Sequence, residues 1–552
     1  MPFPLFLLIS YASGAAILIF CYAIRDRTAI AVSLALAGAF GLLIFHGPIY
    51  FDRFPGDDAF ITFRYADHLA DGLGPNWNST GHVEGYTSFL WMALLAGVSK
   101  SGIPVIDAAR ILTYLTTFGT MVAVIAVWRF WSREDSSGSL ASPLIPATAL
   151  VALAIVDNVA FWGFSGLETP LYMLLLTGSA LVFMRERRTG GLPWSAVAFA
   201  CVAMTRPEGL VAAAVTGLFM LDGIQHAAER RTLLLRAATW AGTFWALYGA
   251  YFAWRFAYYG HFYPNTYYAK TEVALVIYER GADYLSGAVV NYHLVPAFVG
   301  VALLFFTSRL RREAAYVGAL SAALLLAIIP EGGDAFGHGR LITPVLPLLY
   351  LAGIAGFATA LARLRIEPRQ RGLIAAATLS VLALLLLRGS DNPFLPEDRA
   401  DQTERKILGL WLNEHTPDDY TIAAWAVGSI AYHSERAVLD LFGLTDEVIA
   451  HTDVDNFGEG LPGHERYNAD YVLDEVRPEI IITGDAVGDP LDSKAFWRIY
   501  GKAGGLPAKD AIMADPRLPG LYDVRSVQIE GHWFNFLQRK DTLADFQASG
   551  LR

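Results

Sequence analysis

The stretch TAIAVSLALAGAFGLLIF, residues 28–45, is eighteen residues long and contains no charged side chain. A helix of this length covers about 27 Å, close to the hydrocarbon thickness of a bilayer at about 30 Å. No water is available inside a bilayer, so the backbone must bond to itself and form a helix. The stretch therefore predicts a membrane-spanning helix, and similar segments recur along the 552-residue chain.

The composition of the whole chain agrees with this prediction. Hydrophobic residues make up 54% of the chain and charged residues 17%, and the mean hydropathy is +0.38. Soluble domains contain about 25% charged residues. These values exclude a disordered chain, a disulfide scaffold and a nucleic-acid-binding protein. They indicate an integral membrane protein whose partners include the lipid bilayer.

The net charge of −10 is unevenly divided along the chain. Residues 391–552 carry −14, whereas residues 1–390 carry +4. Such a division predicts two parts in different surroundings. We predict an α-helical polytopic membrane domain over 1–390 and a soluble α/β domain over 391–552. In the second part, 402–414 has helical spacing, and 420–424 and 479–483 have the pattern of strands.

About twelve segments are apolar enough to be candidate spans. They are 4–23, 28–45, 105–128, 142–160, 169–183, 192–205, 208–221, 233–254, 282–306, 314–329, 341–362 and 373–387. Arginines cluster on every second connecting loop, and the positive-inside rule makes those loops cytoplasmic. We therefore predict a multi-pass protein of the cytoplasmic membrane, with the other loops and the acidic tail outside.

The first predicted outer loop, 49–104, contains two segments that we do not count as spans. Residues 86–99 are apolar but too few to cross a bilayer comfortably. Residues 58–71 have helical spacing, with Ala59, Phe63 and Ala66 on one face. The first segment is predicted to lie at the outer interface or to form a shallow re-entrant helix, and the second is predicted to lie at the interface.

Charged, aromatic, glycine and proline residues cluster in the predicted outer loops, close to span ends. Ionisable groups at membrane depth are functional candidates, and their common side predicts one shared cavity. The candidates for catalysis are Asp57 and Asp58. The candidates for binding a sugar phosphate are Glu168, Arg206, His261, Lys270, Asp334, His338 and Arg340.

The adjacent carboxylates of Asp57 and Asp58 have two interpretations. One aspartate could accept a proton while the other orients it or holds a divalent cation such as Mg²⁺ or Ca²⁺. Alternatively, the pair begins a helix, where aspartate caps the free N–H groups. The residues alone leave both interpretations open and do not establish a metal.

The two arginines also have two interpretations. Arg206 and Arg340 could clamp a phosphate or pyrophosphate in bidentate fashion. Alternatively, they could snorkel toward the interface or form ion pairs with Glu208 or Asp334. Glu168 precedes a predicted span and is either a cap or a cavity acid. Single residues such as His261, His338 and Lys270 could add donors, although each alone is often structural.

Taken together, the clusters resemble the GT-C superfamily of membrane glycosyltransferases that use polyprenyl-phosphate sugars. Within it, they are most similar to the terminal β-(1→2)-arabinofuranosyltransferases of mycobacterial and corynebacterial cell walls. The segments that carry the resemblance are DDAFITFRY at 57–65, HVEGYTSFLW at 82–91, GLETP at 166–170, TRPEG at 205–209, YGHFYPNTYYAK at 259–270, GGD at 332–334, DLFGLTD at 440–446 and PEIII at 478–482.

The resemblance implies a GT-C fold with its active site in the first outer loop, where an aspartate acts as base. This role transfers to Asp57 or Asp58 without a choice between them. It implies a polyprenyl-phosphate-linked sugar as donor, arabinofuranose being the best guess, and a cell-envelope glycan as acceptor. Two alternatives are a protein O-mannosyl-type transferase and a lipid-sugar flippase or transporter. A flippase would place its polar groups near the bilayer midplane.

Overall fold

The computed structural model describes residues 3–51, 54–222, 230–364, 397–455, 457–484, 489–501 and 506–542. Before residue 365 it is helical. In chain order, α1 to α16 are Phe3–Ala23, Thr28–Ile44, Asp57–Ala70, Phe89–Ser99, Val105–Glu134, Leu144–Ile155, Asp157–Trp162, Thr169–Thr189, Trp194–Thr205, Gly209–Met220, Arg230–Tyr259, Asn265–Lys270, Leu275–Asn291, Leu294–Thr307, Arg311–Glu331 and Leu346–Arg363. Short π and 3-10 turns cover Phe45–Phe51 and Thr343–Val345.

Several of these helices are long and apolar enough to cross a membrane. Among the described residues five qualify, namely Leu5–Ala23, Thr28–Phe51, Val105–Glu134, Arg311–Glu331 and Thr343–Arg363. Four shorter apolar helices, α4, α6, α9 and α10, accompany them. The chain is therefore a multi-pass membrane protein. The count of about twelve spans stays a prediction, and the candidate at 373–387 lies outside the described residues, as does the boundary at 390.

The predicted span at 282–306 differs from a single straight helix. It is divided between α13 and α14, which together are apolar enough to cross but are bent by 73°. The break contains His293, whose backbone has the left-handed conformation with φ of 48°. A residue in this conformation cannot continue a right-handed helix, so the chain turns there.

The two helices of the first outer loop are confirmed as helices. The apolar segment at 86–99 forms α4, whose eleven residues extend about 16 Å, too short for a span. The segment at 58–71 forms α3, with Ala59, Phe63 and Ala66 fully buried. The ring centre of Phe63 lies 6.4 Å from that of Tyr432 in the tail. This face of α3 therefore packs against the tail of the chain.

The tail is an α/β unit built on one five-stranded sheet. Helix α17, Glu397–His415, precedes β1, Thr421–Ala424, and the remaining elements are α18 Val427–Ser434, β2 Ala437–Asp440, α19 Glu447–Ala450, a π turn Tyr471–Val476, β3 Ile480–Ile482, α20 Ser493–Tyr500, α21 Pro507–Met513, α22 Leu518–Leu521, β4 Tyr522–Ile529, β5 His532–Arg539 and a 3-10 turn Lys540–Thr542. The sequence-predicted helix and both strands are confirmed.

The strand order is β2-β1-β3-β5-β4. The first three strands are parallel, with Ile422 paired to Val438 on one side and Ile480 on the other. The last two are antiparallel to their neighbours, and Ile481 pairs with Leu537 across the change of direction. Parallel strands need both faces covered, and two hydrophobic cores cover this sheet.

One of these cores is shared with the first outer loop. Phe63 of α3 and Trp91 of α4 belong to the same buried cluster as Trp411, Ile422 and Val438 of the tail. The opposite face of the sheet has its own cluster, which includes Phe496 and Leu537. Because a common core joins α3 to the sheet, the tail and the first outer loop fold as one packed unit.

Polar contacts also join the first outer loop to the tail. Arg64 of α3 donates to the carbonyl oxygens of Ala431 and Arg436, the second at 2.8 Å. The indole of Trp77 donates to the carbonyl of Val438 at 2.8 Å. The amide of Asn78 exchanges two bonds with the backbone of Val438, at 3.0 and 3.1 Å. These bonds satisfy polar groups that are buried where the first outer loop packs on the tail.

Candidate functional site

A polar cavity of about 280 Å³ lies where several membrane helices end beneath the tail. The start of α3, the turn before α8, the turn between α9 and α10, the end of α15 and helix α12 all contribute. Its charged lining residues are Asp58, Glu168, Arg206, Glu208, Lys270, Glu331, Asp334 and Arg340. Six of the nine sequence-predicted site residues therefore meet here, although the chain separates them by up to 282 positions.

The structure separates the two adjacent aspartates. Asp58 lines the cavity. The carboxylate of Asp57 instead accepts bonds from the backbone N–H groups of Gly428 and Ser429, each at 3.1 Å. These groups belong to the free first turn of α18, so Asp57 caps a helix of the tail. Successive residues of a helix point about 100° apart, which is why neighbours in sequence face different surroundings.

The cap depends on a close approach of two backbones. A Cβ atom on Gly428 would lie 1.9 Å from the carbonyl oxygen of Asp57. No side chain fits in that space, so glycine is required at this position. The guanidinium of Arg405 lies 3.7 Å from the same carboxylate. Asp57 thus joins the first outer loop to the tail.

The surroundings of Asp58 raise the pKa of its carboxyl group. Burial is the main cause, because it penalises the charged form, and the neighbouring charge of Asp57 adds to it. The cations of Lys270 and Arg340 oppose the shift. Burial and the charge of Arg340 in turn lower the pKa of Lys270. The cavity therefore holds a carboxylate and an amine that influence each other.

Lys270 is the least neutralised of the three cavity cations. Within the residues that the structure describes, its ammonium group has no hydrogen-bond or ion-pair partner. The methylene stem packs closely on Gly463 of the tail, where a Cβ would lie 3.0 Å from Cε of Lys270. This position orients the side chain while its charged end lines the cavity.

Arg340 is fixed by a carboxylate and by two aromatic rings. Its Nε and Nη2 donate to the two oxygens of Asp334 at 2.8 and 2.9 Å. The guanidinium carbon lies 4.9 Å from the ring centre of Phe336 and 5.5 Å from that of Trp162. Such cation–π contacts and a bidentate pair hold the fork in one orientation.

Arg206 lies between two carboxylates. Its Nη1 donates to Glu168 and its Nη2 to Glu208, both at 2.6 Å. The side chains are 11%, 7% and 12% exposed, respectively. The ion pair that the sequence offered as an alternative for Arg206 is therefore present. Two carboxylates more than balance one guanidinium, so Arg206 is poorly suited to attract a further anion.

The structure places the two histidine candidates outside the cavity lining. The Nδ1 atom of His338 lies 2.6 Å from a carboxylate oxygen of Asp157, and the ring stacks on Phe161. The ring of His261 lies 2.8 Å from Glu447, on the surface of the tail. Both histidines therefore connect structural elements in this conformation.

Sequence reasoning overlooked several lining residues. Glu208 was expected only as an ion-pair partner of Arg206, and Glu331 directly precedes the GGD segment at 332–334, so its proximity to Asp334 was the available signal. Leu444 and Pro462 of the tail also line the cavity, and no sequence pattern marks them. Asn265 holds this part of the tail by donating to the carbonyl oxygens of Gly443, Leu444 and Asp446.

Metal ligation has little support from the donor set. No group of three or more histidine, cysteine, aspartate and glutamate side chains among the described residues is arranged to hold an ion. Asp57 uses both carboxylate oxygens on backbone N–H groups. The two adjacent aspartates therefore do not form a chelating pair, and the divalent cation stays a prediction.

The sequence comparison agrees with the resemblance seen in the motifs. The chain is 28% identical over 340 residues to the terminal β-(1→2)-arabinofuranosyltransferase of Mycobacterium tuberculosis strain H37Rv, across 55% of this chain and 52% of that protein. The match thus spans about half the length of the curated relative. The resemblance to terminal arabinofuranosyltransferases is confirmed at this level of identity.

The structural comparison decides the fold. ArnT from Cupriavidus metallidurans superposes with a TM-score of 0.53 in its complex with undecaprenyl phosphate and 0.51 in its apo state. The identities are 13% and 15%, and the matches cover 93% and 92% of this chain and 98% and 96% of the ArnT chains. The chain has the GT-C fold.

The GT-C assignment confirms the fold class predicted from the sequence. A separate family profile, described as a domain of unknown function (DUF8728), matches residues 396–532. These residues include α18, which Asp57 caps, and Pro462 of the cavity wall. A domain without an assigned role therefore forms part of the surroundings of the GT-C cavity.

Proposed function

We propose that the chain transfers a sugar from a polyprenyl phosphate to a cell-envelope glycan, with inversion at the anomeric carbon. The observation that carries this proposal is the cavity in which Asp58 faces Lys270 and Arg340. A base, a free cation and an oriented guanidinium are the groups that such a displacement needs. The similarity to a terminal arabinofuranosyltransferase favours arabinofuranose as the sugar.

In the proposed reaction, an acceptor hydroxyl attacks the anomeric carbon and Asp58 accepts its proton. A bond forms between the acceptor oxygen and the anomeric carbon, and the bond from that carbon to the phosphate oxygen breaks. The leaving group is the polyprenyl phosphate. Because burial raises the pKa of Asp58, its carboxylate is a better proton acceptor than an exposed aspartate.

The negative charge that develops on the leaving phosphate needs a cation. Lys270 suits this role because its ammonium group has no partner among the described residues. Arg340 retains N–H groups beyond those bound to Asp334, and its orientation is already fixed. We assign Arg206 to the support of Glu168 and Glu208 rather than to direct phosphate binding.

The position of the cavity suits a donor that is anchored in the bilayer. It lies at the ends of α8 and α15, and α15 is long and apolar enough to span. A lipid chain could therefore remain among the helices while its phosphate enters the cavity. ArnT, which shares the fold, has been solved with undecaprenyl phosphate bound. This supports a polyprenyl phosphate as the donor carrier.

We further propose that the cavity and the tail lie on the outer side of the cytoplasmic membrane. The ends of α5, α8, α15 and α16 away from the cavity carry Arg133, Arg187, Arg188, Arg311 and Arg363. Under the positive-inside rule these ends face the cytoplasm. A topology reporter fused after Arg340 would contradict this orientation if it reported the cytoplasm.

Asp58→Asn tests the proposed base, and Asp57→Asn is the matched control. Loss of a general base lowers the rate by about 10²–10⁴-fold, so the first variant should lose transfer from a polyprenyl donor while still binding it. Asp57→Asn should retain most activity, because Asp57 does not line the cavity and the asparagine oxygen keeps one of the two bonds that cap α18. Near-normal transfer by a folded Asp58→Asn variant would overturn the assignment.

A further inference from the structure

A second charged cavity, of about 510 Å³, lies at the end of the helices opposite the first one. Five arginines line it, with one glutamate and three large side chains between the helices. The lining residues are Phe183, Met184, Arg187, Arg188, Arg309, Arg311, Arg312, Glu313 and Tyr316. The proposed transfer reaction uses none of them.

This arginine-lined cavity is far from the polar cavity. Helix α8 begins beside Glu168 at one cavity and ends with Arg187 and Arg188 at the other. Its 21 residues extend about 31 Å. That distance is close to the hydrocarbon thickness of a bilayer, so the arginine-lined cavity lies at the level of lipid headgroups on the other membrane face.

The carboxylates present neutralise only part of this charge. Arg188 pairs with Glu134 and with Glu313, the second at 2.5 Å, and Arg187 pairs with Asp222 at 2.7 Å. Arg312 shares Asp222 at 3.3 Å. Among the described residues, three carboxylates therefore face five arginines.

The arginines that remain without an ion-pair partner lie at an electrostatically unfavourable position. Arg309 and Arg311 are exposed and make no ion pair with any described residue. Both lie at the start of α15, where the helix dipole is positive and favours anions instead. Glu313 is the acidic residue in the first turn of this helix, and it pairs with Arg188 rather than with Arg309 or Arg311.

We propose that the arginine-lined cavity binds the phosphate headgroup of an anionic phospholipid. Basic pockets between helices at a membrane face are suited to such headgroups, since each arginine there attracts the negative charge of the lipid. Guanidinium groups bind phosphate oxygens in bidentate fashion. Phe183 and Tyr316 are buried in the helix bundle and form the closed inner wall of the cavity. The site is independent of the proposed transfer reaction.

The test is lipid binding by the full-length protein in detergent. Native mass spectrometry would titrate phosphatidylglycerol and phosphatidylcholine onto wild type and onto the double variant Arg309→Gln with Arg311→Gln. We expect wild type to prefer phosphatidylglycerol and the double variant to bind it roughly thirtyfold more weakly. Binding of phosphatidylcholine should not change. Unchanged phosphatidylglycerol binding by the variant would overturn the proposal.

A matched control separates the cavity from general surface charge. Arg129 and Arg133 are exposed on α5 at the same membrane face and do not line the cavity. Arg129→Gln with Arg133→Gln removes the same charge and should leave phosphatidylglycerol binding intact, whereas an equal loss would overturn the site. A second experiment measures the thermal stability of the protein with inorganic phosphate as the ligand. Full thermal stabilisation by phosphate alone would assign the cavity to a soluble anion and contradict the lipid proposal.

A variant that folds poorly would not leave the proposal untested. Arg309→Lys with Arg311→Lys keeps both charges and loses the planar fork, so it should retain more phosphatidylglycerol binding than the glutamine pair. Equal loss in the lysine and glutamine variants, with wild-type thermal stability, would contradict a charge-based headgroup site.

Discussion

The two ends of the helical bundle use arginine in opposite ways. At the polar cavity, Arg206 and Arg340 are 11% exposed and each is bound by carboxylates. At the arginine-lined cavity, Arg309 and Arg311 are exposed, and Arg312 is 67% exposed. Arginine is thus part of a buried ion-pair network at one end of the bundle and of a solvent-exposed basic surface at the other.

The number of charged residues that line a cavity therefore does not identify a functional site. Five carboxylates and three cations line the polar cavity among the described residues, so its surplus is acidic. Under the proposed function Lys270 can still attract a phosphate, because it has no ion-pair partner among those residues. Three of the five carboxylates, those of Glu168, Glu208 and Asp334, are held by Arg206 and Arg340. Pairing, rather than net charge, determines which group can meet a substrate.

The largest expected effect is on stability at the buried end. Arg206→Gln leaves Glu168 and Glu208 buried without their cation, and breaking a buried pair in this way costs about 3–5 kcal/mol. Thermal unfolding of the detergent-solubilised protein measures the loss. Arg129→Gln at the exposed end is the control and should stay within about 0.5 kcal/mol. Similar values for both variants would abolish the distinction between the two ends.

The second prediction concerns the unpaired cation. Lys270→Gln should lower sugar transfer by about 10²–10³-fold, the usual effect of removing one group that stabilises developing charge. Because Lys270 has no ion-pair partner in the described structure, thermal stability should change little. Lys100→Gln, an exposed lysine at the end of α4, is the matched control. A Lys270→Gln variant with unaltered turnover would remove Lys270 from the proposed mechanism.

The third prediction tests whether the tail and the first outer loop are one unit. Gly428→Ala places a Cβ against the carbonyl oxygen of Asp57, and such overpacking costs about 1–3 kcal/mol. Unfolding followed by near-ultraviolet circular dichroism measures the loss. Gly97→Ala in α4, where a Cβ meets open space, should be neutral or slightly stabilising. A Gly428→Ala variant of unchanged stability would show that the contact between the first outer loop and the tail can open without loss of folding free energy.

The smallest expected effect is on the pH profile. The proposed base must be deprotonated, and burial raises the pKa of Asp58, so activity should fall on acidification at a higher pH than for an exposed aspartate. Lys270→Gln removes a cation that lowers this pKa, so its acidic limb should move to still higher pH. The residual activity of the Lys270→Gln variant, measured across a range of pH, gives the position of its acidic limb. A limb displaced to lower pH would contradict the electrostatic coupling.

The fold was largely predictable because spanning segments and strands have local signals. The uncharged run at 28–45 predicted a span, and the structure has the helix Thr28–Phe51 there. The short run at 86–99 predicted a segment that does not cross, and α4 has eleven residues. The bend between α13 and α14 was not predictable, because it depends on one left-handed residue, His293.

The candidate site was predictable in membership but not in geometry. Charged clusters near span ends identified Asp58, Lys270 and Arg340, which the structure places around one cavity. The same clusters also proposed His261 and His338, which contact Glu447 and Asp157 instead. A loop pattern shows that a residue is polar and near a span end, but it does not show its partner.

Composition and charge pattern are enough to specify the membrane-embedded class, the acidic tail and the set of charged residues from which the site is built. Hydrophobicity and charge act locally, so they can be read residue by residue. The packing of the folded chain, in contrast, determines that Asp58 enters the cavity while Asp57 caps α18. The choice between two adjacent carboxylates depends on the backbone N–H groups of Gly428 and Ser429, about 370 residues away. Contacts over such distances form only when the tail packs on the first outer loop.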